Sequence, residues 1–479
     1  MELVTKTGRK SRRDFLKSVC GGAGLLVAGL PLAFSHAAFA ASPGDASGLP
    51  ADGCSLRDAT WLGQRIDKEF ERYRPGWGPI RARRLAQLDG LLATLMERQQ
   101  RGFSCPIADQ IYAEARWLAI STTDDVRIAE RIAAFEDAIR LQREIYNPPA
   151  LQQAEDGSWA PYVDEPFHKL DISIDYINRI VGAGNPVLTR CDGGDHLPSL
   201  TRPLVFLRHW ADPAAMIQEL RDCQSSQIHR TGLWNRQKYA SLLASLSQLM
   251  FKPGIAAWLR EEANDTTFTP RHKAMLGDFL DEIQDSCTGC WRDGYRFHDG
   301  STCQAYDLSN LYHVVQYRET GIRRWNEIAD GLLAVREFQY PQGPLGPGRQ
   351  ADDHNDYDVF RIARRCLYDA EPPLTADRRS QLESYIRNIA IGAVRRVAGN
   401  FPASGEADYV SSVEAECYRV RLLDEVGYWS GRSAFLKNAE MEERRRLASV
   451  MLQRLVAYAD RSPMPVLAIA TLRDRLGLC

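Results

Sequence analysis

Apolar positions recur every three to four residues along most of the chain, with polar positions on the opposite face. Between 81 and 100, Leu85, Leu88, Leu91, Leu92 and Leu95 form one stripe with Arg and Glu facing away from it, the period of an amphipathic helix that buries one side. Similar patterns cover 107–120, 124–146, 375–397 and 437–460. Period-two alternation bounded by Asn-Gly or Asp-Gly is scarce, so strands are expected to be minor. The pattern predicts an all-α protein.

A second regularity lies in the turns. Gly157-Ser158-Trp159, Gly232-Leu233-Trp234 and Gly289-Cys290-Trp291 each end on Gly-x-Trp, and each has a glutamine upstream, Gln153, Gln227 and Gln284. Three further turns, at 192–195, 343–348 and 399–401, occupy equivalent places. The spacing predicts a helix after each of the six, at about 167–182, 197–210, 235–251, 305–320, 353–369 and 406–426. Helix pairs repeating at this interval cannot bury their apolar faces alone and must stack on their neighbours. Six pairs fit a closed (α/α)6 toroid over 151–479 better than an open solenoid, with the helices of 54–150 packing on it. Gln153-x-x-x-Gly157-x-Trp159 resembles the repeat turn of squalene cyclases and related terpenoid cyclase or prenyltransferase toroids. That resemblance implies that Gln and Trp tie one helix to another.

Composition agrees with a large folded core: 479 residues, 44% hydrophobic and 25% charged. With 60 Lys and Arg against 62 Asp and Glu there is no basic excess to grip nucleic acid phosphates. The charge is unevenly spread. Residues 1–40 hold six basic and two acidic side chains, a net +4, which leaves −6 for the rest of a chain whose total is −2. Ser11-Arg12-Arg13-Asp14-Phe15-Leu16-Lys17 resembles a twin-arginine export signal, followed by an apolar run over 21–34 and the small-residue pattern Ala38-Phe39-Ala40. The resemblance implies a cleaved signal over 1–40, the twin-arginine translocation machinery as partner, and a periplasmic or extracellular location. Residues 41–53, rich in small and turn-forming residues, read as a flexible lead. No later stretch is apolar for long enough to predict a stable membrane span. Ten cysteines follow Cys20, an even number that permits disulfides in an oxidising compartment.

The densest chemistry lies at 348–361. His354, Tyr357 and Arg361 fall at i, i+3 and i+7 on one helix face, beside Asp353 and Asn355, with Arg349 just before them. The acids there can also serve as N-caps. A second segment places Asp307, Tyr306 and His313 at the start of another helix. Asp171 and Asp175 share a face in the first unit, and Trp159 and Trp291 offer aromatic plates. Cys287, Cys290, His298 and Cys303 are candidate zinc ligands by donor type, with disulfides or buried thiols as the alternatives. No cofactor is required by the sequence.

Aromatic plates among carboxylates and arginines suit a carbohydrate substrate. The His, Asn, Tyr and Arg of 354–361 resemble the acid-base set of helical-toroid alginate and heparin-type lyases, although the order here is Asp353-His354-Asn355. The resemblance implies a polysaccharide lyase in which His354, Tyr357 and Asn355 carry the acid-base chemistry; Asp353 and Asp307 are further catalytic candidates, and Arg361, Arg349, Trp159, Trp291, Tyr306, Asp171 and His313 are candidate substrate-binding residues. A glycoside hydrolase using paired carboxylates is the competing chemistry. A terpenoid cyclase or prenyl-chain enzyme and a non-catalytic glycan- or peptide-binding toroid are the alternatives from other classes.

Overall fold

The computed structural model describes Leu56 and residues 59–73, 153–159, 166–182, 200–231, 235–346, 349–399, 409–459 and 466–479. The export signal, the lead over 41–53, most of the helices expected within 54–150, and Gly232-Leu233-Trp234 lie outside the described residues. Within them the chain is helix-rich, as the periodicity predicts.

The helices are α1 (Ala59–Tyr73), α2 (Pro166–Gly182), α3 (Pro213–Gln224), α4 (Arg236–Phe251), α5 (Pro253–Glu261), α6 (Pro270–Ile283), α7 (Leu308–Tyr317), α8 (Trp325–Ala334), α9 (Asp353–Asp369), α10 (Ala376–Ala398), α11 (Tyr409–Glu425), α12 (Arg444–Ala459) and α13 (Val466–Leu476). A small sheet joins β1 (Ser225–Ser226), β2 (Asp293–Arg296) and β3 (Thr302–Ala305) in that order. β1 runs parallel to β2, and β2 antiparallel to β3. No single described helix is long and apolar enough to cross a membrane.

Two rows of helices emerge from the packing. α2 packs on α4, α4 on α7, α7 on α9 and α9 on α11, so five helices that are not neighbours in sequence form one row. Helices that intervene in sequence lie behind them: α3 contacts α6, α8 contacts α10, and α10 contacts α12. The first row buries apolar residues in the shared core. Leu242, Leu243, Leu246 and Leu249 of α4, Leu311, Val314 and Val315 of α7, Val359, Phe360 and Ile362 of α9, and Val420, Leu422 and Leu423 of α11 are all buried. Each such side chain withdrawn from water contributes about 1.5–3 kcal/mol before chain entropy is subtracted.

Five of the six helices expected after the Gly-rich turns are present. The exception is 197–210, whose described part holds only a 3-10 turn over Val205–Trp210. Helices α3, α5, α6, α8 and α13 add to the expected set. Three of them open on proline at the first turn, Pro213, Pro253 and Pro270, where the missing N–H costs nothing. Asp212 completes the α3 start by accepting from the Ala214 N–H at 2.9 Å.

The glutamine turns have one construction. Gln153 Nε2 donates to the Gly157 and Arg202 carbonyls at 2.7 and 3.1 Å. Gln284 Nε2 donates to those of Gly289 and Arg323, both at 2.8 Å. Each amide thus fastens its own turn to the chain that enters a later element, and the extra residue between Gln284 and Gly289 does not change the role. Gly157 and Gly289 have φ of +80° and +67°. A Cβ on Gly289 would stand 2.8 Å from the Ile328 nitrogen and 2.9 Å from the Arg324 carbonyl oxygen, at the start of α8. The same construction appears without glutamine at Gly427, where φ is +82° and a Cβ would meet the Arg432 carbonyl.

Gly300 also has positive φ, +79°, but a Cβ there meets nothing within 4 Å. Gly300→Ala is therefore expected to cost about 1 kcal/mol, the left-handed backbone penalty alone. Gly289→Ala is expected to cost about 2–4 kcal/mol because the clash adds to that penalty. Denaturant midpoints of the two variants check this, and equal losses would show that α8 yields to the methyl group.

Candidate functional site

The five helices of the first row carry a second, polar face. On α9, the i, i+3, i+7 set of His354, Tyr357 and Arg361 occupies it as the spacing requires. The α9 helix starts there because Asp352 caps it, accepting from the His354 and Asn355 N–H groups at 3.0 and 3.1 Å. The His354 ring stacks on Tyr418 of α11, with centroids 4.0 Å apart and planes within 5°. Tyr357 donates its hydroxyl to Glu425 Oε1 at 2.8 Å, and Arg361 Nη1 holds both Glu425 oxygens at 2.6 Å. Arg361 Nε reaches Gln316 Oε1 of α7 at 2.8 Å. Tyr357 lies 5.5 Å from Tyr418 and 6.3 Å from Tyr312, ring to ring.

The neighbouring helices complete a polar seam. His313 of α7 accepts or donates at Nδ1 with Tyr317 Oη, 3.2 Å away. Lys252, just past α4, donates to Asn178 Oδ1 of α2 at 2.8 Å, and Asn178 Nδ2 donates to Gln248 Oε1 at 2.6 Å. The Arg421 guanidinium lies over the Tyr418 ring at 5.5 Å. The expectation of His354, Tyr357, Arg361 and His313 as one site thus finds them together. Their partners Glu425, Tyr418, Arg421, Gln316, Lys252 and Asn178 were not expected.

Burial sets the charge states. It pushes the Tyr357 phenol up, with Glu425 adding to the shift, so that hydroxyl keeps its proton at neutral pH. Burial, with the nearby charge of His354, lowers His313 to about 3, so its imidazole is neutral across the physiological range. Lys252 is lowered by burial first and by Arg361 and Arg421 second. The seam therefore offers a neutral imidazole, a protonated phenol and cations, with Glu425 engaged by Tyr357 and Arg361.

A second buried cluster lies at the start of α4 and α7. Arg236 Nε donates to Asp307 Oδ2 at 2.6 Å, and Asp307 Oδ1 caps α7 by accepting from the Asn310 N–H at 3.0 Å. Tyr295 donates its hydroxyl to Asp293. Burial raises Asp293, and the Asp307 carboxylate adds to the shift. Asp293 and Asp307 are 1% and 0% exposed.

Other expected site residues have structural surroundings. Asp353, expected as catalytic, accepts from Arg396 Nε at 2.8 Å and from Arg419, so both of its oxygens are engaged by arginines. Asn355 is buried, and its Nδ2 has no hydrogen-bond partner among the described residues. Trp159 and Trp291 are core residues: the first stacks on Tyr176 and the second donates Nε1 to the Leu280 carbonyl at 2.8 Å. Tyr306 is likewise buried in the core. Arg349 is exposed in the loop before α9, at a positive φ of 61°, and donates to the Glu337 carbonyl. Asp171 is half-buried in α2. Turn tryptophans adjoining a polar mouth and turn tryptophans filling a core have the same local pattern, so sequence alone does not separate them.

The four candidate zinc ligands do not converge. Cys290 is a fully buried thiol, raised to about 12 by burial, that contacts Thr288 Oγ1 at 3.1 Å. His298 is held by Glu69 of α1, while Cys303 is a half-buried thiol on β3. Among the described residues no group of three or more His, Cys, Asp or Glu is arranged to hold a metal ion. Compared with family models, curated proteins and solved structures, the chain matches none.

The depressed His313 value has a consequence for stability. Between about pH 6.5 and 3 the unfolded chain binds a proton that the folded chain excludes, so this contribution is complete above 6.5 and is lost as pH falls through the window. Replacing His313 by Asn is expected to flatten the acid limb of stability against pH, measured by denaturant unfolding at a series of pH values. An unaltered limb would show that the folded imidazole takes up its proton.

Proposed function

We propose that this protein is an exported carbohydrate-active enzyme that cleaves an acidic polysaccharide by β-elimination, within a toroid formed by the two helix rows. The single observation that carries the reading is the meeting of His354, Tyr357 and Arg361 with His313, Gln316, Tyr418 and Glu425 on one seam of three mutually packed helices. Elimination from a uronate needs a base for the proton next to the carboxylate, an acid for the leaving glycosidic oxygen, and donors that stabilise charge developing on the carboxylate. His354 supplies the base. It takes the C5 proton as the C4–O bond breaks and the C4=C5 bond forms. Tyr357, whose buried phenol holds its proton, gives it to the leaving oxygen. Arg361 orients Glu425 and lends positive charge beside the ring of Tyr357, 5.9 Å from its guanidinium.

Hydrolysis would need two carboxylates open to substrate and water. Asp293 and Asp307 are the paired candidates, but they are buried and Asp307 is already bonded to Arg236 and the α7 N-terminus. Prenyl-chain chemistry favours an apolar, aromatic surface, whereas the seam mixes aromatics with charged groups. The twin-arginine-like segment supports passage through that translocation machinery to the periplasm or exterior, where polysaccharides are met.

Tyr357→Phe and His354→Ala are each expected to reduce turnover of an acidic polysaccharide at least about a hundredfold, the usual scale of general acid-base loss, while thermal unfolding shifts little. Unsaturated-product absorbance over a panel of uronate polymers reads the activity. Wild-type rates in both variants would remove this site from the reaction.

A further inference from the structure

We propose that Lys252 and Arg421 form a seat for an anionic oxygen group on the seam, with Asn178 and Gln248 orienting the lysine. This deepens the elimination reading, on which the identity of the anion as a uronate carboxylate rests.

The argument begins with which cations are already matched. Arg361 is bonded to Glu425, Arg396 to Asp353 and Asp356, and Arg419 to Asp353. Lys252 and Arg421 differ. Lys252 has the neutral Asn178 amide as its only hydrogen-bond acceptor among the described residues, at 2.8 Å. Arg421 makes no hydrogen bond or ion pair among them, and its buried Nε has no acceptor. Its one contact of note is the face of Tyr418, the ring on which His354 stacks. The charges are near enough to one another that Arg361 and Arg421 both act on Lys252.

Holding cations together away from water without a counter-charge is unfavourable. Such an arrangement is expected where binding, rather than folding, supplies the compensation. An ammonium oriented by one amide leaves further N–H donors available, and a guanidinium presents a planar fork that matches a two-oxygen anion. The Asn178 amide is itself held by Gln248 at 2.6 Å, so the lysine is aimed before the ligand arrives. A carboxylate held by Arg421 would lie near the ring of Tyr418, which stacks on His354 and lies 5.5 Å from the Tyr357 ring, within the region where the elimination would occur.

The test uses the full-length purified protein and equilibrium binding by calorimetry. Probes are oligosaccharides of polygalacturonate, polymannuronate and polyglucuronate, the same oligosaccharides with their carboxyl groups reduced, and inorganic sulfate. The seat predicts that wild type binds at least one acidic oligosaccharide, that its reduced form binds at least tenfold more weakly, and that Lys252→Gln and Arg421→Gln each weaken the acidic ligand at least tenfold. Sulfate competing with the oligosaccharide supports a general oxyanion seat, and failure of sulfate to compete supports one shaped for a sugar carboxylate. Unchanged affinity in both variants, equal binding of reduced and acidic forms, or no binding of any probe overturns the proposal.

Thermal unfolding gives a second readout. Lys252→Met and Arg421→Met are expected to unfold at or above the wild-type temperature, because each removes an unmatched charge. A marked loss in both would make these cations structural and overturn the seat. Binding that follows the expected pattern, with no unsaturated product from wild type, would sink the elimination reading and leave the seat standing.

Discussion

The start of α9 is pinned by one buried carboxylate. Asp353 is 4% exposed and receives Arg396 from α10 and Arg419 from α11, so a single residue joins the second row of helices to the first. Breaking such a group by removing one partner typically costs about 3–5 kcal/mol, since a charge is left buried and unmatched. Its larger effect is geometric. With the first turn of α9 fixed in rotation, His354 must face Tyr418, and the residues one and two turns later, Tyr357 and Arg361, must face Glu425. Asp356, raised to about 7 by burial and also bonded to Arg396, strengthens the same outward anchor.

This anchoring explains how buried helices can have two unlike faces. On α4, α7, α9 and α11 one set of positions is buried Leu, Val, Ile and Phe, and its burial supplies the cohesion. The side toward the seam is His, Tyr, Arg, Gln and Lys, whose desolvation opposes folding. The glutamine turns hold the connections between elements at fixed length, as the matched bonds of Gln153 and Gln284 show. The polar face is thus kept assembled by contacts made elsewhere.

How much of this was legible in the sequence follows from the range over which each signal acts. The periodicity locates α2, α4, α7, α9, α10 and α11 within a few residues, because an apolar stripe is a local property. The His354, Tyr357 and Arg361 face is legible for the same reason. Glu425, Arg421 and Lys252 are not, since their membership depends on the rotation and offset of other helices. Asp353 shows the limit most clearly. Beside His354 in sequence it reads as chemistry, and only the arginines of α10 and α11 reveal it as an anchor. The expected helix over 197–210 is not formed in its described part for a related reason: its turn resembles the others, but the Thr201 and Arg202 N–H groups are given to Gln153 Oε1 at 2.6 and 2.8 Å instead of to a helix.

Charge distribution makes the reading more demanding and more specific. Residues 41–479 carry a net −6, which at long range disfavours the approach of a polyanion. At physiological ionic strength that repulsion is screened beyond about 8 Å, whereas charges within a partly buried seam are screened far less. Recognition of an acidic polymer is then governed by the few groups it reaches, not by the average of the molecule. Arg361 is committed to Glu425, and Arg396 and Arg419 to Asp353. Among the described cations of the seam, Lys252 has only the neutral Asn178 amide as acceptor and Arg421 lies over the ring of Tyr418, on which His354 stacks, so these two are placed to meet such a ligand.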